Sequence, residues 1–264
     1  MVTSVEGLHI QVFPRWARGG RSSPGYAAGM AQLYFRQLLA GRDFGQNDPI
    51  AAQMQNFVYL IGDRDTSECI VVDPAWVVDD IVDIIEADGM KLTGALATHY
   101  HPDHVGGSMM GFNVQGFAHL LGRSPCKLHC HDLEADLIKQ VTSVSETDLV
   151  RHRSGDKVTV GGVEIELLHT PGHTPGSLCF RLKHALVAGD TLFLQGCGRT
   201  DLPGGDPEEM YRTLSERLST LPSDTVLYPG HAYGGEHAPM GQVRQENAYL
   251  RVPNLETWMR FMGR

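Results

Sequence analysis

Between Thr98 and His104 the chain places three imidazoles and a carboxylate within six positions: His99, His101, Asp103 and His104. All four are good ligands for a divalent metal. Pro102 sits in the middle and prevents the run from continuing as one helix. The apolar segment Gly94-Ala95-Leu96-Ala97 before it reads as the end of a buried strand. Val105-Gly106-Gly107-Ser108-Met109-Met110 after it reads as the start of a helix. The candidate ligands therefore fall on a strand-to-helix loop, where successive side chains can turn onto one point. One histidine among thirteen would carry no message, but this density points to metal chemistry.

Three more candidates follow at long range. Thr170-Pro171-Gly172-His173-Thr174-Pro175-Gly176 holds a histidine between two proline-glycine turns, a rigid loop with little to offer a core. Ala185-Leu186-Val187-Ala188-Gly189 is an apolar strand that ends on Asp190. Val226-Leu227-Tyr228 runs through Pro229-Gly230 into His231. Taken singly, a turn histidine faces water and a strand-end aspartate caps the next turn. Taken together, strand, loop and ligand recur as one pattern.

Five histidines and two aspartates are too many for one tetrahedral zinc with an open position. They suit two ions about 3.5–4 Å apart, bridged by a carboxylate and a water. Such a water, with a pKa of about 7, becomes a hydroxide at neutral pH and can attack an acyl carbon or a phosphorus. No Gly-x-Ser-x-Gly stretch suggests a serine nucleophile instead.

The motifs His99-x-His101-x-Asp103-His104, His173, Asp190 and His231 resemble those of the metallo-β-lactamase superfamily, from about Phe57 to about Tyr233. The resemblance implies an α/β fold, the four-layer αβ/βα sandwich, with metals at one edge between two β-sheets. It implies one metal on His99, His101 and His173, a second on Asp103, His104 and His231, and Asp190 as the bridge. Two branches are close. Gly196-Cys197-Gly198-Arg199-Thr200-Asp201 and Tyr59-Leu60-Ile61-Gly62-Asp63-Arg64 resemble persulfide dioxygenases, which use one iron. Gly198-Arg199-Thr200-Asp201 followed by Pro203-Gly204-Gly205-Asp206 resembles the hydroxyacylglutathione hydrolases of the glyoxalase II group. The metal loop decides, because His101-Pro102-Asp103-His104-Val105-Gly106-Gly107 is the hydrolase form. Dioxygenases usually carry alanine in place of Pro102, and aspartate where this chain has Ala232.

The expected activity is thus a dinuclear metal-dependent hydrolase of an ester, thioester or lactone, with two divalent ions, zinc before iron. Asp103 is the expected catalytic group beyond its ligand role, orienting the hydroxide or passing a proton. Arg199 and Tyr233 are candidate substrate contacts. The alternatives are an iron-dependent dioxygenase acting on glutathione persulfide, with His99, His173 and Asp190 as the iron triad, and a metal-binding protein without catalysis. The stretch after His231 is too short for the helical glutathione-binding domain of the larger glyoxalase II enzymes, so a glutathione thioester is one substrate among several.

Composition bounds the rest. The 264 residues fit a metallo-β-lactamase-fold domain over 51–264 preceded by an arm over 1–50, which is rich in Gly, Ser and Arg up to residue 30. A net charge of −9 disfavours nucleic acid. The partner expected is a small acyl substrate. No apolar run reaches membrane-spanning length, and the N-terminus lacks the apolar stretch of a signal peptide. Five cysteines at 69, 126, 130, 179 and 197 suggest free thiols and a cytoplasmic address. Hairpins are predicted over 57–73 and 158–167, helices from Val77 to about Gly89, from an Asp132 cap through Ile138, and over 207–221 behind an Asp206 cap. The segment of about 111–123 is expected near the site mouth. Cys126, His129, Cys130 and His131 read as strand alternation and not a second zinc site. Cys197 reads as a small turn residue, His169 as core or a brace, and Asp73 as a brace behind the ligands.

Overall fold

Leu33–Leu39 forms strand β1, paired antiparallel along its whole length with Phe57–Asp63 (β2). Pro49–Met54 (α1) lies between them behind an Asp48 cap. Glu68–Val72 (β3), Lys91–Leu96 (β4), Lys127–His131 (β7) and Leu149–His152 (β8) complete the first sheet, in the order β1-β2-β3-β4-β7-β8. Val78–Ala87 (α2), Pro102–Val105 (α3), Gly107–Met109 (β5), Phe112–Val114 (β6), Phe117–Arg123 (α4) and Ala135–Thr142 (α5) fill the connections. The computed structural model describes residues 31–263.

A second six-stranded sheet follows. It uses Lys157–Val160 (β9), Val163–His169 (β10), Leu178–Arg181 (β11), Ala185–Gly189 (β12), Val226–Pro229 (β15) and Ala238–Pro239 (β16), in the order β16-β15-β12-β11-β10-β9. Leu192–Phe193 (β13) and Gly196–Cys197 (β14) make a small hairpin after β12. Pro207–Arg212 (α6), Met240–Glu246 (α7) and Leu255–Phe261 (α8) are the helices of this half.

Alternation along the strands builds the layers. Val58, Leu60 and Val71 face a core shared with α2, α4 and α5. Phe57, Tyr59, Ile61, Ile70 and Val72 point the other way, onto Ile165, Leu167, Leu178, Phe180 and Val187 of the second sheet. Cys179, Leu186, Ala188 and Leu227 close the far side against Met210, Leu214 and Trp258. Strands buried on both faces carry near-continuous apolar runs, which is what β2, β3 and β12 show. The order helix, sheet, sheet, helix is the αβ/βα sandwich.

Several expectations need correction. The expected boundary at residue 50 falls inside the fold, since β1 is a strand of the first sheet with Tyr34 and Leu38 in the core. Residues 1–30 of the expected arm lie outside the described residues. No helix begins at Val105. Gly106 and Gly107, at φ 89° and 125°, end the single turn of α3, and the chain becomes the β5–β6 hairpin. Asp132 caps nothing; the residue before α5 is Glu134, and Asp132 pairs with Arg151. The segment 111–123 divides between β6, which pairs with β5 just after the metal loop, and α4, where Phe117 and Leu120 are buried and Arg123 bonds Asp83 of α2. The Asp206 cap stands as expected, accepting from the Glu208 and Glu209 amides at 2.8 and 3.0 Å.

His129 and His131 point to one side of β7. His129 Nδ1 lies 2.8 Å from His152 Nε2, and His131 stacks on His169. Cys130 turns to the opposite core. All five cysteines are free. Thiol titration of the denatured, unreduced protein should therefore find five groups; a single reactive thiol would mean two disulfides and a different pairing chemistry. Among the described residues no helix is long and apolar enough to cross a membrane.

Candidate metal centre

The candidate ligands gather at one edge because strand ends carry them. β4 delivers His99 to His104 through the Thr98 loop and α3, the β10–β11 connection carries His173, and β12 and β15 end on Asp190 and His231. The Leu178 amide donates to the Thr98 carbonyl at 2.8 Å, which joins the two sheets at this edge. Gly198 and Gly230 permit the crowding. A Cβ on Gly198 would lie 2.1 Å from the Asp190 carbonyl oxygen, and one on Gly230 would lie 2.4 Å from Asp190 Oδ1.

Two donor groups result. His101 Nδ1 lies 3.0 Å from both His99 Nε2 and His173 Nε2. Asp103 Oδ2 lies 3.5 Å from His104 Nε2 and 3.4 Å from His231 Nε2. Bonds of about 2.0–2.1 Å to one tetrahedral ion put donor atoms roughly 3.4 Å apart, so both groups are near the right size. Asp190 stands between them. Its Oδ1 is 3.3 Å from His104 Nε2, and its Oδ2 is 3.4 Å from His231 Nε2 and 3.8 Å from His173 Nε2. Asp190 Oδ1 is buried without an aligned hydrogen bond. A buried anionic oxygen with no donor is costly, and a cation at that point would remove the cost. The donor set therefore fits divalent metal.

Outer contacts fix which ring nitrogens face inward. His104 Nδ1 donates to Asp73 Oδ2 at 2.9 Å, His173 Nδ1 to the Arg199 carbonyl at 2.7 Å, and His231 Nδ1 to the Met54 carbonyl at 2.8 Å. Each fixes Nδ1 as the outward donor, so that in the neutral ring Nε2 is the atom free to ligate. Asp73 also accepts the Thr98 amide and hydroxyl, at 2.7 and 2.6 Å, so it braces the metal loop as well as His104.

The two groups differ in charge. Burial holds His99, His101 and His173 below the ordinary histidine value, His101 at about 4. Burial also opposes charge on His104 and His231, but there the carboxylates prevail. Asp103 and Asp190 hold His104 well above its usual range, and Asp190 and Asp103 lift His231 to about 10. Burial would raise the two carboxyls in turn, yet the neighbouring imidazoliums keep both well below the usual carboxylate range. Without metal, the first group is neutral and the second is a compact pair of imidazoliums and carboxylates.

Comparison with known proteins agrees with this architecture. Residues 52–231 match the metallo-beta-lactamase superfamily. The chain belongs to that family. Among curated metallo-beta-lactamase relatives, a hydroxyacylglutathione hydrolase of Pseudomonas fluorescens is 34% identical over 205 residues, 77% of this chain and 72% of that protein. The mitochondrial persulfide dioxygenase of Homo sapiens is 32% identical over 186 residues, 68% of this chain and 65% of that protein. Among solved structures, ETHE1 from Myxococcus xanthus superposes with a TM-score of 0.70 at 27% identity, covering 87% of this chain and 90% of that one.

Within this metallo-beta-lactamase fold, the sequence-predicted substrate contacts separate. Arg199 points into solvent and pairs with Asp201 at 2.8 Å; its contribution to the site is the carbonyl that receives His173. Tyr233 is 43% exposed, stacks on His231 at 4.7 Å and 6°, and packs against Phe193. Tyr100 covers His101 from the other side and donates to the Pro203 carbonyl at 3.0 Å. Cys197 lies in β14 opposite Leu192, not in a turn, and burial pushes its thiol up to about 12.

Two residues escaped the motif reading. Glu134 is buried and accepts the Tyr100 amide at 2.8 Å and the Gly176 amide at 2.7 Å, so one carboxylate ties together the loops that carry His99, His101 and His173. Asn56 is buried between Trp76 and Asp103. Neither has a spacing signal. Both are polar residues recognisable only once the fold surrounds them.

Proposed function

We propose that the protein is a dinuclear metal-dependent hydrolase of an ester, thioester or lactone, like the glyoxalase II group. One observation carries this reading: the two oxygens of Asp190 address the two donor groups together. In this reading His99, His101 and His173 hold the first ion, Asp103, His104 and His231 the second, and Asp190 bridges. Zinc is the expected metal. Bound divalent ions supply a water with a pKa of about 7 and a Lewis acid for the acyl oxygen.

The chain's own residues do the rest. The outer contacts of His104, His173 and His231 lock the rings, so the reacting atoms meet a preorganised centre. Asp103, held ionised by its imidazolium neighbours, would accept a hydrogen bond from the attacking water and orient it, and would be protonated only transiently if it passed that proton to the leaving group. Tyr233, Phe193 and Tyr100 offer aromatic walls for a small acyl substrate. The acidic surface, with a net charge of −9, suits no polyanionic nucleic acid.

A specific observation favours a second reading, an iron-dependent dioxygenase acting on glutathione persulfide. The ETHE1 superposition spans most of both chains, and Gly196 to Asp201 resembles that branch. There His99, His173 and Asp190 would form a two-histidine, one-carboxylate triad.

The deciding experiment measures metal content, hydrolysis of a glutathione thioester, and oxygen consumption with glutathione persulfide on one preparation. Zinc at about two equivalents, with hydrolysis and no oxygen uptake, is expected, since zinc has no redox chemistry. One iron per chain with rapid oxygen uptake would replace the hydrolase by the dioxygenase.

A further inference from the structure

Asp103 is the candidate ligand whose outer support was absent from every motif. Each of His104, His173 and His231 leans on a carboxylate or a backbone carbonyl. Asp103 leans on Asn56. The Asn56 amide nitrogen donates to the Asp103 backbone carbonyl at 3.0 Å and to Asp103 Oδ2 at 3.2 Å, so both of its protons go to one residue. Among the described residues no other side chain outside the candidate ligands donates to that carboxylate.

The orientation of this amide is physically determined. Trp76 donates its indole N–H to Asn56 Oδ1 at 2.9 Å. Indole is a donor only, so the oxygen of the amide must face Trp76 and the NH2 must face the site. Asn56 itself is 1% exposed. Its backbone forms an antiparallel bridge with His231, and the Phe57 amide donates to the Gly230 carbonyl at 2.8 Å. The same amide nitrogen lies 3.4 Å from His231 Nε2 and 3.5 Å from His104 Nε2. Trp76 sits at φ 78°, a left-handed conformation that a bulky residue rarely takes and that clusters at functional sites. Asp73, three residues earlier, is also left-handed, at φ 52°. One strained turn after β3 therefore sends Asp73 to His104 and Trp76 to Asn56.

We infer that Asn56, oriented by Trp76, is a positioning residue for the second metal subsite alone, acting through Asp103. The inference rests on the dinuclear reading above. The first subsite has its own supports: His99 Nδ1 lies 3.0 Å from the Thr98 hydroxyl, His173 Nδ1 donates to the Arg199 carbonyl, and Glu134 holds the loop of His101 by accepting the Tyr100 amide.

The test uses the full chain, stripped of metal and titrated with Zn2+ against a chromophoric chelator, and in parallel loaded with Co2+ for its visible spectrum. Wild type should take two equivalents. Asn56→Ala should weaken the second by about 10–100-fold, the usual effect of losing an outer partner, and leave the first unchanged. Trp76→Phe keeps an aromatic side chain but removes the indole N–H with part of the ring, so the Asn56 amide loses the donor that fixes it and can turn over; a smaller loss at the second equivalent is expected. The Co2+ bands of the first equivalent should match wild type in both variants. Two wild-type affinities in Asn56→Ala, or equal weakening of both equivalents in Trp76→Phe, would overturn the inference. A wild type that takes only one equivalent would instead overturn the dinuclear reading.

Discussion

Asp190→Ala should leave a folded protein that loses most of the second metal and turns over about 10²–10⁴-fold more slowly, because the activated water and its proton transfers go with that ion. The reasoning begins with position. Asp190 closes β12, and Gly189 before it is at φ 49°, with a Cβ there only 2.6 Å from Thr98. The strand end is thus pressed against the metal loop, and the carboxylate has no other place to go. It contacts His104, His231 and His173, donors from both groups. Alanine removes a ligand from each group at once, and it also removes one of the carboxylates that keep His104 and His231 protonated in the empty site. The fold should survive, because the residue is not part of the apolar layers and its deletion abolishes an unpaired buried oxygen. Metal analysis and the thermal transition are read together. Two full equivalents in a folded Asp190→Ala would sink the bridge, and a failure to fold would be visible in the transition.

Much of this was readable beforehand, for a definite reason. A ligand at a strand end is local: an apolar run of four or five residues with His or Asp within two positions of its end marks both the strand and the turn that follows it. His99, Asp190 and His231 follow that rule. The layers follow from it too, since β2 and β12 are apolar on both faces. The misreadings came from short segments. Val105 to Met110 has enough apolar character for a helix, but two successive glycines at positive φ turned it into a hairpin. A window of six residues cannot separate those outcomes by periodicity. The supports of the site were out of reach for a different reason. Glu134 lies in a polar stretch that looks like surface, and its partners are backbone amides 34 and 42 residues away. Asn56 stands at the mouth of an apolar strand, 47 residues from Asp103. Nothing in a linear pattern encodes which distant amide or carboxylate a buried polar side chain will meet.

Proton release should distinguish the two subsites. Coordination requires neutral imidazole and ionised carboxylate, so any proton on a ligand must leave when metal arrives. At neutral pH His99, His101 and His173 are uncharged, because burial holds them low, His101 at about 4. Loading them releases no protons. His231 is lifted to about 10, and His104 also lies well above its usual range, while Asp103 and Asp190 are already ionised. Loading the second group should release about two protons, one from each imidazole. Its affinity should then rise with pH above 7, by up to about a hundredfold per unit as long as both imidazoles remain protonated, while that of the first stays flat. The sign holds for the metal-free fold as well. A histidine whose folded pKa is raised contributes stability that is complete below the ordinary histidine range and is lost as pH rises through the folded value, here about 10 for His231. The difference in thermal transition between loaded and chelated protein should therefore widen as pH rises. Calorimetric titration in buffers of different ionisation enthalpy counts the protons directly. Equal release at both equivalents, or none at either, would show that the charge division between the two donor groups is wrong.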